Sequence, residues 1–335
     1  MNLANLTSGA TALNYLASGT DLFDWYLKTY DINKPYESSK SQDYDRFGEH
    51  MSLSEKFKSL TELSALITQP FPFVIKFDIA TISGLKTIVV NSKSDVAQIF
   101  NVVKEFNCSQ GIVQQFVRGK EYTVTVLVGK HNWVTVGTAC DYKKQFENNI
   151  GLNTSGLGSI SPCPWVHSNT THIINQIVTK LRHTVDYTGF LSCQFLVDTN
   201  NKLWLIENNY RICDPEFQSM IELSNPITAM TQCRDGQIID QLVMASNTRA
   251  VTISFIHQHW PDRLQLSDAD IALNHPRFKI WKNSFFSKYF WGSITNSGHK
   301  TYSELADEMY QWLATQHVAP YRYRTDIGKE KSLEP

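Results

Sequence analysis

The sequence predicts an α+β / α/β protein with more than one lobe. Apolar runs of strand length recur in pairs joined by short polar turns, at 122–127 with 133–138 and at 190–197 with 202–207, as antiparallel hairpins do. Between the pairs, Ile173, Ile174, Ile177 and Leu181 recur at helical spacing. The 335 residues are enough for two or three compact units.

Taken in order, residues 1–30 read as helical, with Thr20 as a cap and Leu22, Phe23, Tyr26 and Leu27 as the apolar stripe. The polar run from Asn33-Lys34-Pro35 to Gln42 is rich in turn formers and reads as a loop or linker. A helix is expected over 52–68, opened by Ser52 or Ser54. Two strands, 72–78 and 85–90, then flank a small-residue loop, and a short helix capped by Ser94 is expected over 94–106. The apolar run 111–117 reads as a strand that turns through Arg118-Gly119-Lys120-Glu121. The 122–127 and 133–138 hairpin follows, then a glycine-rich loop at 151–158, a helix at 170–185, and the second hairpin, turned by residues 198–201. Beyond Pro226 a helical stretch carries Ile227 and Met230 and runs on towards Leu242 and Met244. The strand 250–256 opens a smaller C-terminal unit, whose Trp281, Phe285, Phe286, Tyr289, Phe290 and Trp291 read as core and packing face. An amphipathic helix over 303–316 comes near the end.

Composition narrows the function classes. The chain is 42% hydrophobic and 19% charged with a formal net charge of −1, so bulk electrostatics give no reason to expect a nucleic-acid or membrane surface. Six scattered cysteines without a C-x-x-C pair read as reduced thiols of a cytoplasmic protein. The first basic residue is Lys28, so the basic start of a signal peptide is not seen, and no apolar run reaches membrane-spanning length. His257 and His259 could chelate a metal from one strand face, but no third ligand is evident, and packing histidines are the simpler reading.

The chemistry concentrates in 203–216, Leu-Trp-Leu-Ile-Glu-Asn-Asn-Tyr-Arg-Ile-Cys-Asp-Pro-Glu. Strand alternation puts Glu207 and Asn209 on one face, where a carboxylate and an amide oxygen suit a hard cation such as Mg²⁺. Arg211 and Asp214 just beyond could hold the two ends of an amino acid. A strand end with solvated charges explains the stretch equally well. The loop between Lys76 and Lys86 could lie across a polyphosphate, although solvated lysines at a strand edge are the default. In the glycine-rich loop, Asn153 and Thr154 could donate to a ligand that the backbone approaches closely.

The order of these segments resembles the ATP-grasp superfamily, and within it the phosphoribosylamine–glycine ligase family. The segments that carry the likeness are Val74-Ile75-Lys76-Phe77-Asp78, Gln115-Phe116-Val117-Arg118-Gly119-Lys120-Glu121, Asp141-Tyr142-Lys143-Lys144, 151–162, Tyr187-Thr188-Gly189-Phe190-Leu191, 206–216 and Tyr323-Arg324-Thr325-Asp326-Ile327-Gly328. The resemblance implies an ATP-grasp fold, two α+β lobes gripping ATP with a small C-terminal domain. It divides the chain into an N-terminal helical segment at 1–30, a lid subdomain at 31–116, a core at 117–245 and a capping domain at 246–335. It also implies ATP and Mg²⁺ as cofactors. Lys76 and Lys86 would meet the phosphates, the strand through Gln115 and Val117 the adenine edge, and Glu121 the ribose, with Glu207 and Asn209 on Mg²⁺. Arg211 and Asp214 would hold the amino acid, and Asp141, Lys143, Asn153 and Thr154 would line the place where an amine meets the activated carboxyl.

The implied activity is an ADP-forming carboxylate–amine ligase that works through an acyl phosphate and joins glycine or another small amino acid to an amine. Departures from the family pattern keep two other readings open, a catalytically degenerate nucleotide-binding scaffold and a phosphotransferase. Thr20 falls near the family's first-helix lysine, Gln114 and Gln115 replace paired glutamates, and Ser155 and Cys213 replace glycines. The family's N-terminal domain finds no counterpart, which leaves open a different amine acceptor, a homo-oligomer or a partner chain that supplies the domain.

Overall fold

The structure is a computed structural model that describes residues 13–14, 16–37, 39–68, 70–78, 87–96, 99, 103, 109–262, 270–283 and 289–329. Residues 13, 14 and 16 are helical, and then come α1 (Leu22–Glu37) and α2 (Lys40–Phe47), where a loop was expected over 33–42. The helix continues through Pro35 because tertiary contacts outweigh local propensity: Asn33 is buried and its Nδ2 donates to Thr188 O at 2.9 Å. Ser39 then caps α2 by accepting from Gln42 N at 3.1 Å.

The expected helix over 52–68 is instead a strand, β1 (Ser54–Phe57), followed by α3 (Leu60–Leu66). Ser59 accepts from Glu62 N and Glu62 Oε2 accepts from Lys58 N, a reciprocal cap that fixes the start of the helix well after Ser54. β1 joins β2 (Phe73–Phe77), β3 (Thr87–Val90) and β4 (Gly111–Gln115) in an antiparallel sheet of order β1-β4-β2-β3. Phe57, Leu63, Phe73, Ile75, Phe77 and Val113 form its core. Between these strands, the loop 79–86, with Lys86, lies outside the described residues, and so does most of the expected helix 94–106.

The second sheet is built on β5 (Gly119–Val128) and β6 (Trp133–Asp141). β5 starts within the expected turn at Arg118 to Glu121. A two-stranded flap, β7 (Lys144–Phe146) with β8 (Ile150–Asn153), precedes β9 (Gly158–Ser161) and α4 (Thr170–Val185). β10 (Gly189–Asp198) and β11 (Leu203–Asn209) form the second hairpin, followed by α5 (Glu216–Met220) and α6 (Ile227–Arg234). α6 stops there rather than running on to Met244, since Gly236 follows at φ 67°, a left-handed terminator.

Next come β12 (Arg249–His257), β13 (Lys279–Lys282), β14 (Phe290–Gly298), α7 (Tyr302–Leu313) and β15 (Tyr321–Arg322). The large sheet runs β11-β10-β5-β6-β9-β12-β14-β13, with β15 on β12.

Alternation sorts the large sheet into two cores. Val124, Val126 and Val128 of β5 face α4 through Ile174, Ile177 and Leu181. Leu127 and Phe190 face the other way, towards Tyr26 of α1, Phe217 of α5 and Met230 of α6. Each such fully buried side chain contributes roughly 2 kcal/mol before chain entropy is counted. We keep the four-part division of the chain as a proposal. Residues 116–117 coincide with the passage from the small sheet to the large one, whereas the pairing of β9 with β12 carries the sheet across residue 245.

Candidate active site

A cavity of about 480 Å³ lies between the two sheets. Val74, Lys76 and Val89 line it from the small sheet, and Asp141, Lys143 and Glu207 from the large one. The connecting residues 114–121 form its back, which includes Gln115, Val117 and Glu121.

Strand β11 shapes the charged end. The register of β10 against β11 shifts between Gln194 and Phe195, so Ile206 has no Cα partner there. A bulge of this kind frees a carbonyl, and the buried Lys76 ammonium donates to Ile206 O at 2.7 Å. Burial pulls Lys76 down to about 8, against the carboxylate of Glu207. Glu207 and Asn209 do share a face, since Asn209 Nδ2 donates to Glu207 Oε1 at 3.3 Å. Burial pushes Glu207 up, but Lys40 and Lys76 outweigh it and hold the carboxyl well below the usual range, hence ionised.

Lys40 is a residue that the sequence analysis missed. It opens α2, and its ammonium lies 2.6 Å from Glu207 Oε2. The helix is seated on β11 by Asp43, which accepts from Asn208 N at 3.1 Å and from the Tyr210 hydroxyl at 2.8 Å. Reading 33–42 as a loop hid Lys40, and Asp43 fell in the stretch just after it. The available signal was Ser39 followed by Gln42 three positions on, the pattern of a capping box.

On the facing wall, Lys143 Nζ lies 3.5 Å from both Asp141 Oδ2 and Glu121 Oε2, and donates to Gln194 Oε1 at 3.1 Å. Burial alone would lower Lys143, yet the surrounding carboxylates raise it well above its ordinary value. Glu216, at the start of α5, is buried and accepts from Thr123 Oγ1 at 3.0 Å. Burial raises both Asp141 and Glu216, and each carboxyl meets further negative charge.

The glycine-rich loop splits its two candidates. Asn153 lines the cavity, whereas Thr154 is buried and spends its hydroxyl on Lys143 O at 2.9 Å and on Gly156 N at 3.1 Å. Arg211 and Asp214 lie beyond the cavity lining. Arg211 Nη1 donates to Ile212 O at 2.9 Å, and Asp214 O borders Gly156. The C-terminal strap also reaches this region: the fully buried Arg324 pairs with Asp326 at 2.6 Å and donates to Lys144 O and Asn149 Oδ1 on the flap.

Two oxygen donors on one strand suit Mg²⁺, which keeps several waters and shares phosphate oxygens. The ionised state of Glu207 fits that role. No group of three or more His, Cys, Asp or Glu able to hold a metal occurs among the described residues; His257 is buried against Tyr321, 5.6 Å between ring centroids. The five described cysteines are free and buried, and no helix among the described residues is long and apolar enough to cross a membrane.

Residues 41–217 match the family model described as phosphoribosylglycinamide synthetase, ATP-grasp (A) domain. The match starts inside α2, so Thr20 lies ahead of it. The phosphoribosylamine–glycine ligase of Haemophilus influenzae is 26% identical over 234 residues, covering 64% of this chain and 53% of its own length. That of Pasteurella multocida is 30% identical over 227 residues, covering 61% and 51%. The chain thus spans about half the length of these relatives. Among solved structures, phosphoribosylamine–glycine ligase from Thermotoga maritima superposes with a TM-score of 0.71 at 20% identity, covering 88% of this chain and 80% of that one. N5-carboxyaminoimidazole synthetase from Staphylococcus aureus, complexed with ADP, gives 0.61 at 16% identity, with 82% and 71% covered. The fold is ATP-grasp.

Proposed function

This chain belongs to the phosphoribosylglycinamide synthetase ATP-grasp family, and from that membership we propose that it is an ATP-dependent, ADP-forming carboxylate–amine ligase. The observation that carries the reading is the buried Lys76 ammonium, bonded to the carbonyl next to the ionised Glu207 in one cavity between two lobes. A cation beside a carboxylate is what a polyphosphate and its metal need.

In this reading the nucleotide lies along residues 115–117 with Glu121 at the ribose and Lys76 at the phosphates. Glu207 and Asn209 would hold Mg²⁺, which when bound neutralises charge on the phosphate oxygens. A substrate carboxylate oxygen bonds to the γ-phosphorus while the bond to ADP breaks. An amine then attacks the acyl carbon, phosphate leaves with the bonding electron pair, and the nitrogen gives up a proton. Arg211 pairs with the carboxylate of glycine or another small amino acid, and Asp214 with its ammonium. Lys143, held among carboxylates and therefore charged, stabilises the negative charge that develops at the transferred group, with Asp141 and Asn153 around it, while Thr154 braces the loop from behind through Lys143 O.

Arg211→Ala should abolish amino-acid-dependent ADP release while nucleotide still binds. Unchanged turnover in that variant contradicts the assignment. A second reading, a nucleotide-binding scaffold without turnover, draws on Lys40, which engages the carboxylate meant for the metal.

A further inference from the structure

Lys40 engages the carboxylate that would hold a cation. Its ammonium is 2.6 Å from Glu207 Oε2, and the two side chains are only 7% and 17% exposed. The contact is built into the fold rather than made by a loose surface lysine. Three residues along the same helix, Asp43 is 3% exposed and binds Asn208 and Tyr210. These two residues alternate with Glu207 and Asn209 along one stretch of chain, so α2 is docked against the residues that carry both candidate ligands. Asn209 also spends a donor on Glu207 Oε1, so both oxygens of the carboxylate are occupied from within the chain.

We propose that Lys40 is a built-in counter-ion of Glu207 that a divalent cation must displace, so that Lys40 sets the concentration at which the metal binds. The inference rests on the reading of Glu207 and Asn209 as metal ligands. Two cations within bonding distance of one carboxylate oxygen repel strongly where water is scarce. Stripping the ammonium from a nearly buried carboxylate therefore weighs against the metal. Lys40 acts here as a positioning residue.

The test is Mn²⁺ binding to the full chain without nucleotide, followed by the paramagnetic resonance signal of free Mn²⁺. The proteins compared are the unmodified chain, K40M, K40Q, K40R and E207Q. Removing the ammonium in K40M or K40Q should tighten Mn²⁺ binding, on the order of tenfold as a coupling between competing ligands. K40R keeps the charge and should bind as weakly as the unmodified chain, a split that mere loss of packing would not produce. E207Q should bind most weakly. Equal or weaker binding in both K40M and K40Q, with binding still lost in E207Q, overturns the counter-ion role and leaves the metal site standing. Binding unaffected by E207Q overturns both.

Discussion

Asp43 accepts a hydrogen bond from the Tyr210 hydroxyl at 2.8 Å, joining a helix near the start of the chain to the end of the strand that carries Glu207. The same carboxylate accepts from Asn208 N at 3.1 Å and Asn208 Nδ2 at 3.4 Å. Asp43→Ala leaves these buried donors without an acceptor and should cost about 2–4 kcal/mol in chemical denaturation. Asp43→Asn, which keeps one acceptor oxygen, should cost less. Equal stability of all three proteins would contradict the seating of α2 on β11.

Asp141 and Glu216 give the pH dependence. Burial raises both, with the charge of Glu216 adding at Asp141 and the pull of Lys143 opposing at Glu216. Above about pH 4 the unfolded chain releases these protons while the folded chain retains them. The folded state then binds more protons, so stability falls as pH rises, until the raised folded values are passed. Glu216→Gln removes one of the two charges and keeps an acceptor for Thr123, so melting temperature should fall less steeply with pH in this variant. Parallel profiles for the two proteins would count against the buried pair.

Gly156 has φ 112°, and a Cβ there would lie 2.3 Å from Pro215 Cδ and 2.8 Å from Asp141 Oδ1. Both the backbone conformation and the space exclude a side chain. Gly156→Ala should destabilise by at least about 2 kcal/mol and push the loop away from Asp141. Calorimetry would read the stability loss; an unchanged melting temperature would show that the loop gives way without cost.

Much of the fold is legible in the sequence, because the β5–β6 and β10–β11 hairpins are apolar runs of strand length joined by short polar turns and α4 carries a full apolar stripe. The helix that meets Glu207 is not. Lys40 lies in the polar run after Pro35 and Asp43 just beyond it, and besides the Ser39 cap it is docking onto β11 that holds this stretch as a helix. β1 escapes for a related reason: in Ser54–Phe57 only Phe57 is buried, so four residues show no alternation. Glu207 and Asn209 are legible because strand geometry alone puts them on one face. The inward turn of Thr154 is not, since it depends on Lys143 O across the loop.

Turnover by this cavity is tested most directly by ADP release. With Mg²⁺ and ATP, glycine and a panel of amino acids are supplied, each with and without candidate amines that include phosphoribosylamine. A ligase built on this cavity releases ADP only when both an amino acid and an amine are present. Tight ATP binding with no release under any combination would contradict the account and leave the scaffold reading in its place.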